Sequence, residues 1–246
     1  LARRGRPGPT VVDLPKDVTL GDTDQEPREA RLPDTYQPAT RADPSIVEAA
    51  AAALQTAERP VILAGGGVIK GEATDELRDF AIEKGIPVIT TMPATGAFPE
   101  DHELSLEMAG MHGTGYANMG ITHCDYLLGI GTRFDDRLTG AIETFAPEAE
   151  VAHIDIDPAE ISKNIEADYP LLGDAGTVID QLDDEIAGEL AIDDWRAQCQ
   201  TWKAEYPLDY DMPEDDPMKP QYVVEKYDEL TPDDTIVAAG VGQHQM

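Results

Sequence analysis

The sequence predicts an α/β protein built on a doubly wound parallel sheet, flanked by pieces of two further α/β domains. Three observations lead to this prediction. Short apolar runs without polar alternation recur along the chain, a segment with helical spacing follows most of them, and the regular part of the pattern starts at Pro44. Strands without polar alternation are typical of sheets covered on both faces, and the intervening helices are the crossovers that parallel strands need.

The composition indicates a globular and strongly acidic protein. Hydrophobic residues make up 41% of the 246 residues, and 18 Lys and Arg against 49 Asp and Glu give a net charge of −31. Such a surface repels phosphate backbones, so we expect no nucleic-acid partner. No run approaches the roughly 18 apolar residues of a membrane span, so we expect no membrane association. The acids are spread along the chain, which favours a solvated surface adapted to high salt over an acidic interaction tail.

The first 42 residues predict a strand followed by a linker. The run GPTVVDLP is interpreted as an apolar strand, and residues 19–42 carry several prolines among many charged residues. This composition favours an extended surface linker. Because the sequence starts without an initiator Met or a signal-like apolar region, we expect residues 1–18 to be the end of a domain that lies further upstream.

Residues 43–190 alternate between helix and strand. Asp43 and Pro44 form a helix start, and Gly85 follows the second helix as its C-cap. The predicted strands of this region are RPVILAGGG, IPVITT, DYLLGIGTR, EVAHIDID and YPLLGDA. The predicted helical segments are DPSIVEAAAAALQTAE, EATDELRDFAIEKG, GTGYANMGITHC, the short turn PAEISKN, and AGTVIDQLDDEIAGEL.

The remainder of the chain predicts a helix with a second linker, and then the opening of another domain. Residues 191–219 supply the helix and the linker, whereas residues 220–246 contain QYVVEKYDEL as a helix and DTIVAAG as a strand. The two cysteines, Cys124 and Cys199, form no CxxC or Cys/His motif. We therefore expect structural thiols in a reducing, cytoplasmic setting.

Five predicted strand ends together indicate a nucleotide-binding cleft. Ligands of open parallel sheets bind at the carboxyl ends of the strands, where glycines allow close backbone approach and helix N-termini offer N–H donors. The five ends are residues 65–67, 90–92, 131–133, 155–157 and 173–175. Arg133 and Arg137 can add positive charge there, and Asp155 or Asp157 can accept from ribose hydroxyls or an adenine amino group.

Two other interpretations apply to single motifs. The GGG run alone is consistent with a tight turn, since it matches neither GxGxxG nor a P-loop. His153, Asp155 and Asp157 have the residue types of a metal site, but alternate residues of a buried strand are more often structural and no further ligand cluster supports them. We therefore predict no metal site within this chain.

Six motifs resemble the large catalytic subunits of the acetolactate synthase (acetohydroxyacid synthase) family. They are GRPGPTVVDLPKDV, GGG, GMHGTGYAN, GTRFDDRLTG, HIDIDPAEI and the terminal GQHQM. The resemblance implies a pyrimidine-binding domain, a central FAD-binding domain of the DHS-like fold, and a diphosphate-binding domain. Residues 1–18 would end the first, 43–190 would form the second, and 220–246 would begin the third, with 19–42 and 191–219 as connections.

The resemblance also implies functional residues, carried over motif by motif. Arg137 would recognise a substrate carboxylate, and Lys16 would lie near the substrate entrance. Gln243 and His244 would contact thiamine diphosphate. FAD would contact Arg6, Gly66, Thr91, Met92, Ala109, Gly110, Met111, His112, Gly131, Thr132, Arg133, Phe134, Asp135, Asp136, Arg137, Asp155, Ile156, Asp174 and Ala175. Pro93 departs from the family pattern, because it removes a backbone donor beside the flavin contact at Met92.

The implied activity is the decarboxylating condensation of pyruvate with a second 2-keto acid, either pyruvate or 2-oxobutyrate, in branched-chain amino-acid synthesis. The implied cofactors are thiamine diphosphate, Mg²⁺ and FAD, and the implied assembly is a dimer or tetramer that can carry a small regulatory subunit. The catalytic Glu and the Mg²⁺ ligands of the family lie outside these 246 residues, so we expect this chain alone to be inactive. The alternatives are a glyoxylate carboligase or sulfoacetaldehyde acetyltransferase, and a stand-alone nucleotide-binding module of the sirtuin-like or electron-transfer-flavoprotein-like fold.

Overall fold

A computed structural model describes residues 2–27, 29, 31–34, 36–211, 219–232, 234–240 and 242. A six-stranded sheet forms its centre, with β1 (Pro60–Ala64), β2 (Val88–Thr90), β3 (Ser105–Met108), β4 (Tyr126–Ile130), β5 (Glu150–Asp155) and β6 (Tyr169–Leu172). The strand order is β3-β2-β1-β4-β5-β6, and every pairing is parallel. This confirms the predicted doubly wound α/β fold.

Helices cover both faces of the sheet and continue beyond it. They are α1 (Lys16–Thr19), α2 (Pro44–Thr56), α3 (Gly66–Lys70), α4 (Thr74–Lys84), α5 (Gly115–His123), α6 (Asp136–Thr139), α7 (Ala175–Glu185), α8 (Asp193–Glu205) and α9 (Pro220–Leu230). Two short 3₁₀ turns occupy Met92–Ala94 and Ile142–Thr144. The described part of the chain contains no helix with the length and apolarity to cross a membrane.

Local sequence explains where several helices begin and end. The Asp43 carboxylate accepts a hydrogen bond from Ser45 N (2.9 Å), and Pro44 occupies the first turn of α2. Thr114 caps α5 in the same way, through Ala117 N at 3.1 Å. Gly85 ends α4 in the left-handed conformation, with φ +70°. Each of these ends depends on a capping residue that stands beside an apolar run.

The core lies between the sheet and its helices, and α8 belongs to it. All five residues of β1 and of β4 are buried. On α8, Trp195 and Trp202 are buried, and the Trp195 indole donates to the Pro60 carbonyl at 3.0 Å. Helix α8 therefore closes the end of the sheet at which β1 starts.

Both cysteines are buried and form no disulfide. Burial raises the pKa of the Cys124 thiol and of the Cys199 thiol to about 12. A thiol with so high a pKa carries almost no thiolate at neutral pH, so neither is suited to nucleophilic chemistry.

Two predicted strands are wrong. Residues 8–15 and 234–240 form no strand, and Val11 and Ile236 are 89% and 95% exposed. Neither segment pairs with a strand of the six-stranded sheet. An extended run gains the ladder hydrogen bonds of a strand only when a partner backbone is present.

One strand, β3, was not predicted. Its four residues SLEM lie at the edge of the sheet, and only the first two are buried. It pairs with β2 through Val88–Ser105 and Thr90–Met108, with a register shift between them. Its short, half-exposed sequence lacks the apolar run that reveals the central strands.

Candidate functional site

A cleft of about 920 Å³ opens at the carboxyl edge of the sheet. This is the volume of a typical site for a large organic ligand. The residues that line it and were predicted to contact a ligand are Arg6, Gly66, Thr91, Met92, Ala109, Met111, His112, Gly131, Thr132, Arg133, Asp135, Arg137, Asp155, Ile156, Asp174 and Ala175. The five strand ends therefore meet in one place, as the parallel topology requires.

The centre of the cleft is a close crossing of two glycine-containing loops, where the chain leaves β1 and β4. Gly67 N donates to Gly131 O at 2.9 Å, and Gly65 N donates to Ile130 O at 2.8 Å. A Cβ added to Gly131, whose φ is +58°, would lie 2.5 Å from Gly67 Cα. A Cβ on Gly65 would lie 2.2 Å from Gly131 O. The glycines thus serve first to let two backbones touch, and the touching backbones leave room for a ligand above them.

The cleft has a charge balance unlike that of the whole chain. Its lining contains five basic residues, Arg3, Arg6, Lys70, Arg133 and Arg137, and four acidic ones, Glu72, Asp135, Asp155 and Asp174. In the whole chain, acids outnumber bases by 49 to 18. This concentration of cations makes the cleft electrostatically more favourable for an anionic group than the rest of this acidic protein.

Within the cleft, Asp155 lies at the end of β5 and is largely buried. Its Oδ1 accepts from Asp157 N at 2.8 Å. Burial raises the pKa of the Asp155 carboxyl above its ordinary value, although the hydrogen bond from the Asp157 N–H and the positive charge of Arg6 oppose this. A desolvated carboxylate of this kind gains most from a ligand that donates hydrogen bonds to it.

His153 lies beneath the cleft and does not line it. Its Nε2 is 2.8 Å from the Thr132 carbonyl, and its ring is packed against Phe134 at 4.9 Å between centroids. Burial lowers the pKa of His153 despite that hydrogen bond and the nearby carboxylates, so the neutral ring donates from Nε2. The His153 and Asp155 side chains are 4.0 Å apart, and the described residues contain no group of three candidate metal ligands.

The loop of residues 109–112 is positioned by an asparagine that was not predicted as functional. The Asn118 side chain accepts from Gly110 N at 2.9 Å and donates to Gly110 O at 3.1 Å. Met111 N in turn donates to Arg137 O at 3.0 Å. Gly110 has φ +105°, and a Cβ there would lie 2.7 Å from Arg137 O. Asn118 and Gly110 together bring this loop against the loop that carries Arg137.

At β2, the loop with Pro93 stays within the cleft. Thr91 N donates to Ala64 O at 2.9 Å, so Thr91 continues the sheet contact beyond β2. Met92 is 52% exposed and lines the cleft. Pro93 packs against the backbone of Gly66, where an added Cβ would lie only 2.9 Å from Pro93 Cβ. Pro93 therefore fills space beside Gly66.

At the opposite end, residues 40–42 support the loop before α7. Asp174 caps α7 by accepting from Thr177 N at 3.2 Å, and its own N–H donates to Thr40 O at 3.2 Å. The Gln181 amide pairs with both backbone groups of Ala42, at 3.0 and 3.2 Å. The predicted linker is thus fixed where it enters the sheet domain.

The remaining predicted residues lie elsewhere. Gly110, Phe134 and Asp136 do not line the cleft: Gly110 is held by Asn118, Phe134 is 2% exposed beneath it, and Asp136 begins α6 on the surface. Lys16 lies at the start of the exposed helix α1, also outside the cleft lining. Gln243 and His244 lie outside the described residues.

Sequence reasoning missed Arg3 and Lys70 among the cations of the cleft. Lys70 is four residues after Gly66, which is one helical turn along α3, and Arg3 shares the GRP-containing segment with Arg6. The spacing of Lys70 from the glycine run was therefore a usable signal. The sequence contains no comparable signal for Arg3, because the position of Arg3 depends on how residues 2–8 fold.

Comparison with protein families gives one match that covers more than half of the chain. Residues 47–182 match the family model described as the thiamine pyrophosphate enzyme central domain. These residues include every strand of the sheet and most of the cleft.

Several curated proteins are similar along the whole chain. Acetolactate synthase from Mycobacterium bovis is 46% identical over an alignment of 252 positions, which covers 100% of this chain and 41% of that protein. The probable acetolactate synthase large subunit of Methanocaldococcus jannaschii is 46% identical over 265 residues, and the alignment covers 43% of it. The acetolactate synthase large subunit of Corynebacterium glutamicum is 44% identical over 251 residues, 40% of its length. In each case the whole of this chain is covered, so it spans about two fifths of the length of these relatives.

Proposed function

This chain belongs to the thiamine pyrophosphate enzymes, whose central domain it carries, and we propose that it forms part of an acetolactate synthase. The proposed reaction joins pyruvate, with loss of carbon dioxide, to a second 2-keto acid. The names of the similar proteins support this assignment over a glyoxylate carboligase or a sulfoacetaldehyde acetyltransferase. A free-standing nucleotide-binding module would not explain similarity that continues through residues before and after the sheet domain.

The role proposed for the cleft at the carboxyl edge of the sheet is to hold FAD. The observation that carries this proposal is the glycine crossing at Gly67 and Gly131, with cations around it in a chain of charge −31. A dinucleotide needs an open, backbone-lined centre for its diphosphate and room on both sides for its two ring systems. The cleft fits these needs, since the crossing after β1 and β4 lies between the ends of β2 and β3, followed by Met92 and Met111, and the ends of β5 and β6, with Asp155 and Asp174.

The roles of individual residues follow from their chemistry. Arg137, and Arg133 with its ion-pair partner Asp135, supply guanidinium donors beside the crossing, and the N-terminus of α7 next to Asp174 offers backbone N–H groups. Asp155 suits a ligand hydroxyl or amino donor because its carboxylate is largely buried. The exposed thioethers of Met92 and Met111 offer polarisable apolar contact to a flat ring system. FAD in this reaction has a structural role without net redox change, and thiamine diphosphate with Mg²⁺ supplies the carbon–carbon bond chemistry.

Arg137 is the proposed site of substrate recognition in this chain. It lies on α6 at the rim of the cleft, is exposed, and forms no ion pair with any described residue. A guanidinium with a free fork can bind a carboxylate through two parallel hydrogen bonds. Lys16 is proposed to lie near the substrate entrance of the complete enzyme, and Gln243 and His244 to contact thiamine diphosphate.

The setting of the enzyme is also part of the proposal. We propose a cytoplasmic homo-oligomer, a dimer or tetramer, with which a small regulatory subunit can associate. The acidic surface suits high salt, because counter-ions screen the repulsion among 49 carboxylates.

The activity test uses the complete protein that contains this chain. With thiamine diphosphate, Mg²⁺ and FAD at molar KCl, pyruvate should give acetolactate and carbon dioxide. Parallel reactions with glyoxylate and with sulfoacetaldehyde distinguish the related carboligases. Failure to form acetolactate, or a clear preference for either of the other donors, would overturn the proposal.

The cofactor test uses the 246-residue chain. Quenching of flavin fluorescence should report FAD binding, and a tenfold excess of NAD should not displace the flavin. Binding of NAD without binding of FAD would contradict the assignment of the cleft. This test does not depend on activity, so it separates the cofactor proposal from the proposed reaction.

A further inference from the structure

Arg6 reaches the cleft from the first segment of the chain and is held there by two carboxylates. Its Nη1 lies 2.6 Å from Glu160 Oε1 and 2.9 Å from Asp157 Oδ2. Both acids belong to the turn that follows β5. Lys163 Nζ completes the group, at 3.2 Å from the same Glu160 oxygen. We call these four residues the Arg6 cluster.

Glu160 is the most buried member of the Arg6 cluster. Its side chain is 6% exposed, whereas those of Asp157, Arg6 and Lys163 are 24%, 45% and 52% exposed. Burial alone would raise the pKa of Glu160, but hydrogen bonds from Arg6 and Lys163 hold it below its ordinary value. The four charges sum to zero, so a buried carboxylate is fully compensated only while Arg6 stays in place.

The geometry leaves part of the Arg6 guanidinium free. Nη1 makes both bonds to the carboxylates, and neither Nε nor Nη2 donates to any described residue. An arginine fork can use one nitrogen for a protein carboxylate and present its other N–H groups to a ligand. Because Arg6 lines the cleft, those free donors are available to a group bound there.

Residues 2–8 form a compact turn around Arg6. Gly8 N donates to Ala2 O at 3.1 Å, Gly5 has φ +62°, and the Tyr36 hydroxyl donates to Arg4 O. Tyr36 lies in the segment before α2, so its hydrogen bond connects the turn to the linker and not to the sheet domain. The ion pairs of Arg6 are the side-chain bonds that join this turn to the sheet domain among the described residues.

We propose that Glu160, assisted by Asp157, is a positioning residue that fixes the Arg6 guanidinium, and with it residues 3–7, as one wall of the cofactor cleft. Arg6 then acts as an oriented hydrogen-bond donor whose charge is already neutralised. The positive charge available to a diphosphate comes from Arg3, Lys70 and Arg137, which form no ion pair with a described residue, whereas Arg133 is paired with Asp135 at 3.1 Å. The ligand part of this inference rests on the proposed FAD site, whereas the attachment of residues 3–7 does not.

The central variant is Glu160→Gln, which removes the charge and keeps the shape. Its matched control is Glu148→Gln, because Glu148 also pairs with an arginine, Arg59 at 3.2 Å, but outside the cleft. The first measurement is the rate of tryptic cleavage after Arg3 and Arg4 in the chain without ligand. We expect Glu160→Gln to raise this rate about tenfold, as loss of one charge-assisted bond would, and Glu148→Gln to leave it unchanged.

The second measurement is FAD affinity by flavin fluorescence. Glu160→Gln should weaken it about tenfold, again without effect of Glu148→Gln. The charge-exchanged double variant Arg6→Glu with Glu160→Arg should restore resistance to trypsin but not FAD affinity, because a glutamate at position 6 cannot donate to the ligand. A purely structural Glu160 would not give this split between the two measurements.

Two outcomes would overturn the proposal, and a third would overturn only its ligand part. If Glu160→Gln only lowers the melting temperature, with tryptic rate and FAD affinity unchanged, Glu160 stabilises the fold and does not position Arg6. If Glu160→Gln does not fold, Asp157→Asn takes its place, and unchanged trypsin sensitivity in that variant overturns the proposal in the same way. If the unaltered chain binds no FAD, the proposed cofactor is wrong, and the tryptic rates still decide whether Glu160 attaches residues 3–7.

Discussion

Residues 61–65 and residues 236–240 have almost the same sequence, VILAG and IVAAG, yet they adopt different structures. The first run forms most of β1, is completely buried, and pairs with β2 on one side and β4 on the other. The second forms no strand, and Ile236 and Val237 are 95% and 62% exposed.

The difference shows that an apolar run is a strand only where other backbone and helices surround it. Around β1, the neighbouring strands satisfy its N–H and C=O groups, and its side chains are part of the buried core. Around residues 236–240 the described chain supplies neither. The same contrast separates the sheet domain from the terminal segments, where Val11, Val12 and Leu230 are also mostly exposed.

The largest expected effect tests this contrast directly. Ile62→Ala removes a side chain with 0% exposure from the centre of β1 and should lower the free energy of unfolding by about 4 kcal/mol, through lost burial and a cavity. Ile236→Ala is the matched control, and should change it by less than about 0.5 kcal/mol. Urea unfolding of the chain, followed by tryptophan fluorescence, measures both. Equal effects would mean that residues 236–240 are buried in solution.

The second effect concerns the glycine crossing. Gly131→Ala introduces a Cβ that would meet Gly67 Cα at 2.5 Å, at a residue with φ +58°. We expect the free energy of unfolding to fall by about 3 kcal/mol, because backbone strain and overpacking both destabilise the folded state. We also expect the variant to lose FAD binding. Gly188→Ala is the control for backbone conformation, because Gly188 has φ +72° and nothing within 4 Å.

If Gly131→Ala and Gly188→Ala cost the same, the crossing contributes no steric term, and only the backbone conformation matters at Gly131. Retention of FAD affinity in a folded Gly131→Ala chain would show that the ligand does not depend on the close approach of the two loops. Thermal unfolding and flavin fluorescence on the same samples separate the two results.

The third effect compares ion pairs in the two regions. Lys84 is 1% exposed, and its Nζ contacts Asp183 at 2.6 Å and the Ile186 carbonyl at 2.7 Å. Lys84→Met should cost about 2 kcal/mol, because the carbonyl loses its partner while the half-exposed carboxylate is rehydrated. Lys226, paired with Glu229 at 2.6 Å on α9, is the surface counterpart, and Lys226→Met should cause no measurable change. An equal loss of stability in both variants would contradict the interpretation that the buried Lys84 side chain stabilises the packing of α4 against α7.

The smallest effect is a dependence of stability on pH. Burial lowers the pKa of His153 in the folded chain, so between that pKa and the ordinary value of about 6.5 the unfolded chain binds more protons. The stability from burying the neutral ring is therefore complete above about pH 6.5 and is lost as the pH falls toward the folded pKa.

His153→Gln tests this dependence because glutamine can still donate to the Thr132 carbonyl but does not titrate. Its stability should fall less than that of the unaltered chain between about pH 7 and pH 5. The comparison stops there because the pKa of Asp155 is raised in the folded chain. At lower pH, protonation of Asp155 therefore increases stability and opposes the loss that His153 causes. Parallel pH profiles for the two chains would show that folding does not lower the pKa of His153.

The parts of the fold that the sequence predicted are those that a short stretch of residues is enough to identify. The glycine run after β1, the glycine after β4, the Asp43 and Gly85 caps and the apolar central strands were all visible in the sequence. The short edge strand β3 was not, because its pairing with β2 and not its composition makes it a strand. Asn118 was likewise invisible as a positioning residue, since its partner Gly110 is eight residues away and meets it through a turn.

The residues by themselves predicted the edge of the sheet where the cleft lies, because parallel topology brings the ends of the strands together. The lining residues Arg6, Ala109, Met111 and His112 came from the resemblance to a known family, since no predicted strand ends beside them. Only the tertiary structure decided which apolar runs became strands, that Phe134 lies beneath the cleft, and that Arg6 meets Glu160. Those outcomes depend on contacts between residues far apart in the chain, and such contacts are set by packing and charge pairing that no local pattern encodes.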